Sequence, residues 1–293
     1  MVMIGANGVG KTSFLDALFV LSGSASGNLN ARLSQFGGIA NLLTRGKARS
    51  LIFEVDMEVH DHAPLQYELQ IECSGTGYRI SRESLSQKRD GYEEPFKHIE
   101  SLDGDVRYFD PGKNKLVRPD WDYSPLETSL SQVPKMYRQS EELRQILATT
   151  TKYHVLDVGP RAPVKLPQPM KPADLPGADG EDLVSYLYSL RESDRGRFDA
   201  VVDSLRSAFP NLEELNFPPV AAGMLAMTWK DKQFKQIYMN ELSEGTLRFV
   251  WLASLLRSPS LSTVTMIDEP EVSLHPELLR LLSDLMREAS KRT

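Results

Sequence analysis

Eight residues near the start of the chain have the types and spacing needed to bind phosphate. The run Gly5 to Thr12, G-A-N-G-V-G-K-T, fits the pattern G-x-x-x-x-G-K-[ST] at every fixed position. Glycines in this pattern let backbone N–H groups turn inward around the β-phosphate of a nucleotide. Lys11 is then expected to reach the β- and γ-phosphates, and the Thr12 hydroxyl is expected to face Mg²⁺.

The residues on both sides of this loop favour a phosphate site over a chance glycine-rich turn. Val2 to Ile4 has the composition of the end of a buried strand, and Ser13 to Leu21 has that of an apolar helix. A helix that begins directly after the loop would direct the positive end of its dipole at the phosphates.

A second candidate segment lies far downstream and ends in two carboxylates. Val264 to Ile267 is a short β-rich run followed by Asp268 and Glu269, which is the pattern of a Walker B strand. Asp268 would hold Mg²⁺ through its water shell, and Glu269 would orient and deprotonate the attacking water. An isolated Asp-Glu pair is commonly a solvated strand end, but the phosphate loop in the same chain favours the catalytic interpretation.

A third segment, Leu242 to Arg248 (L-S-E-G-T-L-R), opens an apolar helix predicted over Leu247 to Leu256. Ser243 alone would be interpreted as a helix N-cap. An L-S-x-G element about twenty residues before a Walker B strand is, however, the layout of ABC-type ATPases. In those proteins the serine and the helix N-terminus contact the γ-phosphate bound on the opposite subunit.

These three motifs, with the phrase I-D-E-P-E-V-S-L-H-P, resemble the SMC/RecF-like branch of the ABC ATPases. More closely, they resemble the stand-alone AAA-family ATPases of bacteria found in repair, overcoming-lysogenization-defect (OLD) and phage-defence systems. Glu244 stands where transporter subunits have the first glycine of L-S-G-G-Q, which makes a transporter less favoured. The resemblance is specific at the two ends of the chain and loose over residues 50 to 240.

The resemblance implies a role for each matching residue. Nucleotide-binding positions are Gly5, Asn7, Gly8, Val9, Gly10, Lys11, Thr12, Ser13 (the α-phosphate contact), Ser243 and Gly245. Catalytic positions are Lys11, Asp268 and Glu269, and the metal positions are Thr12 and Asp268. Ser273, Leu274 and His275 match a loop that crosses the dimer interface.

The resemblance also implies the architecture: an α/β P-loop NTPase head of the ABC type, with a mixed core sheet, an antiparallel β subdomain and a helical lobe. We predict one domain over 1–293. Its parts are a nucleotide-binding core at 1–50 and 240–293, an antiparallel sheet at 51–110, and a helical lobe at 120–210. The lobe includes a surface connection over 159–177, which holds six prolines.

Local patterns predict the elements inside these parts. Alternating residues predict strands at 51–59, 65–73, 76–84 and 91–99, and a hairpin at 224–239. Helical spacing predicts helices at 30–43, 140–148, 181–191 and 276–291, and Asp194 is expected to cap a further helix. No long heptad repeat interrupts the chain, which argues against a coiled-coil arm.

Composition fits an intracellular enzyme. The net charge of −6 disfavours a general DNA-coating surface, and the single cysteine, Cys73, excludes an internal disulfide. Apolar runs fall short of the roughly 18 residues that span a bilayer, and no secretory leader is expected. We therefore predict a cytoplasmic protein.

Parts of the family pattern are missing from the chain. Little sequence precedes the phosphate loop, so the adenine-stacking residue is unassigned, and His275 lies too early to be the switch histidine near the γ-phosphate. Gln132 is the only candidate for the glutamine that joins Mg²⁺ to the helical lobe, and it is a weak one. Whether the chain is a fragment stays open, so nucleotide binding is a firmer expectation than hydrolysis.

The function predicted from these observations is Mg·ATP binding and hydrolysis by an ATP-sandwiched homodimer in DNA repair or phage defence. One alternative is a nucleotide-gated scaffold that holds or releases a separate effector, such as a nuclease or toxin. A DNA-dependent repair ATPase is a second, and a transporter subunit a weaker third.

Overall fold

The computed structural model describes residues 3–6, 8–44, 47–89, 91–233 and 236–292. The chain divides into two compact units, Met1–Thr151 and Lys152–Thr293. Asn7 of the phosphate loop, Val2 of the predicted first strand and Phe234 of the predicted hairpin lie outside the described residues.

A six-stranded antiparallel sheet dominates the first unit, and its strands follow chain order. The strands are β1 (Ser50–Val59), β2 (His62–Ser74), β3 (Gly77–Gln87), β4 (Phe96–Leu102), β5 (Asp105–Asp110) and β6 (Lys115–Val117). Along β2, the buried residues are Leu65, Tyr67, Leu69 and Ile71, each two positions after the last. The alternation at 51–59, 65–73 and 76–84 therefore predicts β1 to β3 correctly, because one face of these strands is packed and the other meets water. The strand predicted at 91–99 begins only at Phe96, and the sequence predicts no strand at β5 or β6.

Helices cover the packed face of this sheet. They are α1 (Lys11–Ala25), α2 (Leu29–Gln35), the 3₁₀ helix Ile39–Asn41 and α3 (Arg138–Ala148). Their apolar side chains, among them Val20, Leu33 and Leu143, form one core with the inward residues of the strands. The end of α1 is thereby fixed in place, which fixes the orientation of the loop that precedes it.

A buried carboxylate connects the sheet to the segment before α3. Glu83 on β3 accepts hydrogen bonds from the Tyr67 hydroxyl (3.0 Å), the Leu130 N–H (2.8 Å) and the Ser129 N–H (2.5 Å). Burial raises the pKa of the Glu83 carboxyl, and the two backbone hydrogen bonds oppose that rise. The network stabilises a loop that would otherwise bury unpaired N–H groups.

The second unit is built around helices. They are α4 (Leu183–Ser193), α5 (Arg195–Ala208), α6 (Glu244–Arg257) and α7 (Pro276–Ala289). Its short strands are β7 (Thr151–Tyr153), β8 (Gln168–Pro169), β9 (Leu212–Asn216), β10 (Pro219–Ala221), β11 (Met224–Leu225), β12 (Thr228–Asp231), β13 (Ile237–Tyr238) and β14 (Thr265–Ile267). Asp194 caps α5 as predicted, because its carboxylate accepts the Arg197 N–H at 3.1 Å.

Helix α6 is the centre of the second unit. Its buried residues are Leu247 and the whole run from Phe249 to Leu256. A helix that is apolar all round must be surrounded by other elements, and here α4, α5 and α7 share its core. The N-terminal turn of α6 is consequently held at a fixed place.

The structure corrects three further predictions. The helix predicted at 30–43 is shorter, because the left-handed residues Gly37 (φ 75°) and Gly38 (φ 100°) follow the end of α2 at Gln35. Met3 and Ile4 form no strand, because no described strand pairs with them. Ile4 is consequently not covered by a sheet and is 92% exposed. The proline-rich segment is only partly a surface connection, because Val164 and Gln168 are buried. The Gln168 amide donates to the Gly180 carbonyl (2.6 Å) and accepts the Val184 N–H (2.7 Å), which satisfies its polar atoms inside the core.

Candidate functional site

The phosphate loop lies in the first unit and has the backbone shape expected of an anion-binding turn. Gly8 (φ 83°) and Gly10 (φ 93°) both lie in the left-handed region, where a side chain would be strained. Helix α1 begins immediately afterwards at Lys11, and no side chain of the described residues caps its first N–H groups. Those N–H groups and the helix dipole are therefore available to an anion.

Lys11 lies across the loop that precedes it. Its Nζ atom donates to the carbonyls of Gly5 (2.8 Å) and Ala6 (3.0 Å). An ammonium group has three protons, so one remains for an acceptor outside the loop. The side chains of Val9, Thr12 and Ser13 are exposed around it. The loop can therefore place positive charge beside a bound phosphate.

The acidic segment lies in the second unit, at the end of β14. The Asp268 N–H donates to the Tyr153 carbonyl at 2.9 Å, which extends the β7–β14 pairing to this carboxylate. Glu269 follows with φ 46°, a left-handed conformation that is rare outside glycine. Its side chain is exposed, whereas that of Asp268 is half-buried. The two carboxylates therefore differ in their exposure to solvent, which allows them to have different roles.

Ser243 is the N-cap of α6. Its hydroxyl accepts the Thr246 N–H at 3.2 Å and shares a hydrogen bond with the Thr246 hydroxyl at 2.8 Å. The N-cap interpretation of this residue is thus confirmed. Ser243 is also exposed, so its hydroxyl can meet a further partner without leaving the helix start.

Gly245, one residue into α6, is required by a close backbone approach. A Cβ atom there would lie 2.4 Å from the Ser273 carbonyl oxygen, closer than real Cβ contacts come. Ser273 belongs to the loop after Glu269 and has φ 61°. The structure therefore brings the L-S-E-G motif and the E-P-E-V-S-L-H-P loop of one chain together.

Arg248 is the last residue of the L-S-E-G-T-L-R segment, and the sequence alone predicts no role for it. From the second turn of α6, its guanidinium donates to the Ser273 hydroxyl and to the Leu156 carbonyl (3.2 Å). The signal in the sequence is its spacing, since Arg248 follows Glu244 by four residues and Ser243 by five. That spacing shows which helix face it shares but not which loop meets it.

Gln132 gives a different result. Its amide donates to the carbonyls of Ser124 (3.1 Å), Glu127 (3.2 Å) and Thr128 (3.2 Å), and accepts the Ser124 N–H (2.6 Å). The side chain therefore holds its own loop together. Within the described ranges, no group of three or more His, Cys, Asp or Glu could hold a metal ion. Mg²⁺ at a nucleotide needs only one or two protein carboxylates.

The α/β fold with its several sheets and seven described helices, and a loop of this shape, fit a P-loop NTPase. The comparison with protein families is more specific. The family model described as "AAA domain, putative AbiEii toxin, Type IV TA system" matches residues 1–293. The chain belongs to this family and is an AAA-type P-loop ATPase domain. No curated protein matches it. Among the described helices, none is long and apolar enough to cross a membrane.

Proposed function

We propose that the chain binds Mg·ATP at the loop Gly5 to Thr12 and hydrolyses it. The observation that carries the proposal is the loop itself: two left-handed glycines, an uncapped helix start and Lys11 lying across them. A backbone of this shape presents several N–H groups to one anion. The family supports the assignment, because AAA-type domains generally use ATP and Mg²⁺.

The residue roles follow from the chemistry of each side chain. Lys11 balances charge on the β- and γ-phosphates, and Ser13 contacts the α-phosphate. The hydroxyl of Thr12 and the carboxylate of Asp268 are the groups that would hold the metal ion. Glu269 orients the attacking water and accepts its proton. Bound Mg²⁺ supplies charge neutralisation on the phosphate oxygens.

The proposed working form is a head-to-tail homodimer of the ABC/SMC type, in which Ser243 and Gly245 face the nucleotide of the partner. The exposed hydroxyl of Ser243 supports this, because it lies at the N-terminus of α6 and the positive end of a helix dipole attracts phosphate. ATP would then stabilise the dimer by contacting both subunits, and hydrolysis would release it.

The family description favours a toxin–antitoxin or phage-defence setting over repair, since it names a toxin and a type IV system. In that setting the ATPase would control a separate effector. A DNA-dependent repair ATPase is the second candidate, and stimulation of turnover by duplex DNA would favour it. A transporter subunit remains the weakest, because Glu244 departs from the transporter motif.

Two variants test the proposal. Lys11→Ala is expected to abolish binding of a fluorescent ATP analogue, while Lys115→Ala, an exposed lysine on β6, is the control. Glu269→Gln is expected to reduce hydrolysis to a slow residual rate and to accumulate an ATP-dependent dimer in light scattering, with the exposed Glu271→Gln as its control. Monomers of Glu269→Gln at saturating ATP would reject the sandwich, and unchanged nucleotide binding by Lys11→Ala would reject the site.

A further inference from the structure

The loop that follows Glu269 contains two residues in an unfavourable backbone conformation. Glu269 (φ 46°) and Ser273 (φ 61°) are both left-handed without being glycine. Such residues cost about 1 kcal/mol or more each and persist where the surroundings hold them. Inside the loop, only short-range bonds contribute: Val272 N–H to the Glu269 carbonyl at 3.2 Å and Leu274 N–H to the Glu271 carbonyl at 3.1 Å.

The remaining support comes from the start of α6. The Ser273 carbonyl lies directly over Gly245, where only a residue without a Cβ fits. The Ser273 hydroxyl accepts a hydrogen bond from Arg248 Nη1. Two atoms of Ser273 are therefore fixed on α6, four residues after Glu269.

Arg248 is itself held firmly. Its side chain is only 13% exposed, its Nε donates to the Leu156 carbonyl at 3.2 Å, and Nη1 lies 3.9 Å from a Glu244 carboxylate oxygen. Leu156 follows β7, the strand that pairs with β14. From α6, the planar guanidinium thus donates hydrogen bonds both to the segment after β7 and to the loop after β14. Lysine has a point charge on a flexible chain and cannot reproduce this fork.

We propose that Arg248 is a positioning residue for Glu269: through Ser273 it holds the loop in the conformation that presents the Glu269 carboxylate to the attacking water. This inference rests on the proposed role of Glu269. Arg248 touches no reacting atom in this scheme. Its loss would leave the phosphate loop intact while moving the general base, and a misplacement near 1 Å can cost a reaction up to about a hundredfold.

Steady-state and single-turnover ATP hydrolysis by Arg248→Gln, Arg248→Lys and Ser273→Ala tests this. We expect kcat to fall about tenfold to a hundredfold in Arg248→Gln, with ATP binding unchanged within about twofold. Arg248→Lys should recover little of the loss, and Ser273→Ala should reproduce part of it. Arg280→Gln, an exposed arginine on α7, should behave as wild type.

The decisive measurement combines Arg248→Gln with Glu269→Gln. If Arg248 acts through Glu269, then removing it from an enzyme that already lacks the base should lower single-turnover hydrolysis no further. A further fall by the full factor, or a loss confined to ATP binding, overturns the proposal. So does wild-type kcat in Ser273→Ala, which keeps the test valid if Arg248→Gln fails to fold.

The failure of the proposed function would look different. If Glu269→Gln hydrolyses ATP at the wild-type rate, then Glu269 is not the base and the role of the site is wrong. If Glu269→Gln is severely slowed but Arg248→Gln is fully active, only the inference about Arg248 is wrong.

Discussion

Replacing Gly245 with alanine isolates the contact between α6 and the loop after Glu269. The new Cβ would lie 2.4 Å from the Ser273 carbonyl oxygen, whereas real Cβ contacts essentially never fall below 3.0 Å. The backbones must therefore separate by at least 0.6 Å. Overpacking of this kind costs about 1–3 kcal/mol, while alanine regains about 0.5–1 kcal/mol over glycine in a helix.

Gly196 is a matched control because it occupies the same position, second residue, of α5. A Cβ there would meet only a carboxylate oxygen of Asp194 at an ordinary 3.7 Å. Gly196→Ala should therefore be neutral or stabilising, by up to about 1 kcal/mol. Both variants gain the same helix propensity from alanine. The difference between their unfolding free energies therefore measures the steric cost at Gly245 alone.

Urea unfolding and single-turnover hydrolysis together provide the assay. Gly245→Ala should be less stable than Gly196→Ala by about 1–3 kcal/mol and should hydrolyse ATP more slowly, because the displaced loop carries Glu269. If both variants unfold at the same urea concentration, then the close approach of Ser273 does not exist in solution and the reasoning fails.

Three further predictions concern stability. Burial, then the nearby Arg89, lowers the pKa of His98 from 6.5 to about 4, so the folded state binds fewer protons than the unfolded chain between these values. The free energy of unfolding should thus fall by at most about 2–3 kcal/mol as pH falls from about 6.5 to 4. His98→Phe should remove this pH dependence when urea unfolding is measured across the same pH range. An equally steep fall of the unfolding free energy with pH in His98→Phe would contradict the prediction. Glu83→Ala should destabilise the protein by about 3 kcal/mol because three buried donors lose their acceptor; exposed Glu54→Ala on β1 is the comparison, and equal midpoints would refute the network. Asp194→Ala should cost about 0.5–2 kcal/mol through loss of the α5 cap, visible as a lower Tm that Asp199→Ala, inside the same helix, should not show.

Local chemistry made much of this fold predictable from the sequence. The alternation along 51–73 predicts strands because each residue meets either the core or water. Asp194 and Pro276 mark helix starts because the first turn has unpaired N–H groups and tolerates proline. The phosphate loop is equally local, since its shape depends on Gly8 and Gly10 themselves.

Other features depended on residues distant in the chain, and these were missed. Ile4 has the composition of a buried strand residue, but a strand needs a hydrogen-bonded neighbour, which composition does not specify. Gln168 lies among prolines, yet its amide is satisfied by Gly180 and Val184 and is therefore buried. The contact of Arg248 with Ser273 joins positions 25 residues apart. Spacing along one helix gives no sign of it.

Helix α6 has no polar side along most of its length, and this has a mechanical consequence. From Phe249 to Leu256 every residue is buried, and the Trp251 indole N–H donates a hydrogen bond to the Gly177 carbonyl at 2.8 Å. A helix packed on all sides cannot slide past its neighbours without breaking these contacts, so it can move only together with them. A displacement of Ser243 at the start of α6 should therefore be transmitted to Leu256 near its end. A cavity created by a substitution near Leu256 should likewise make the start of the helix more mobile.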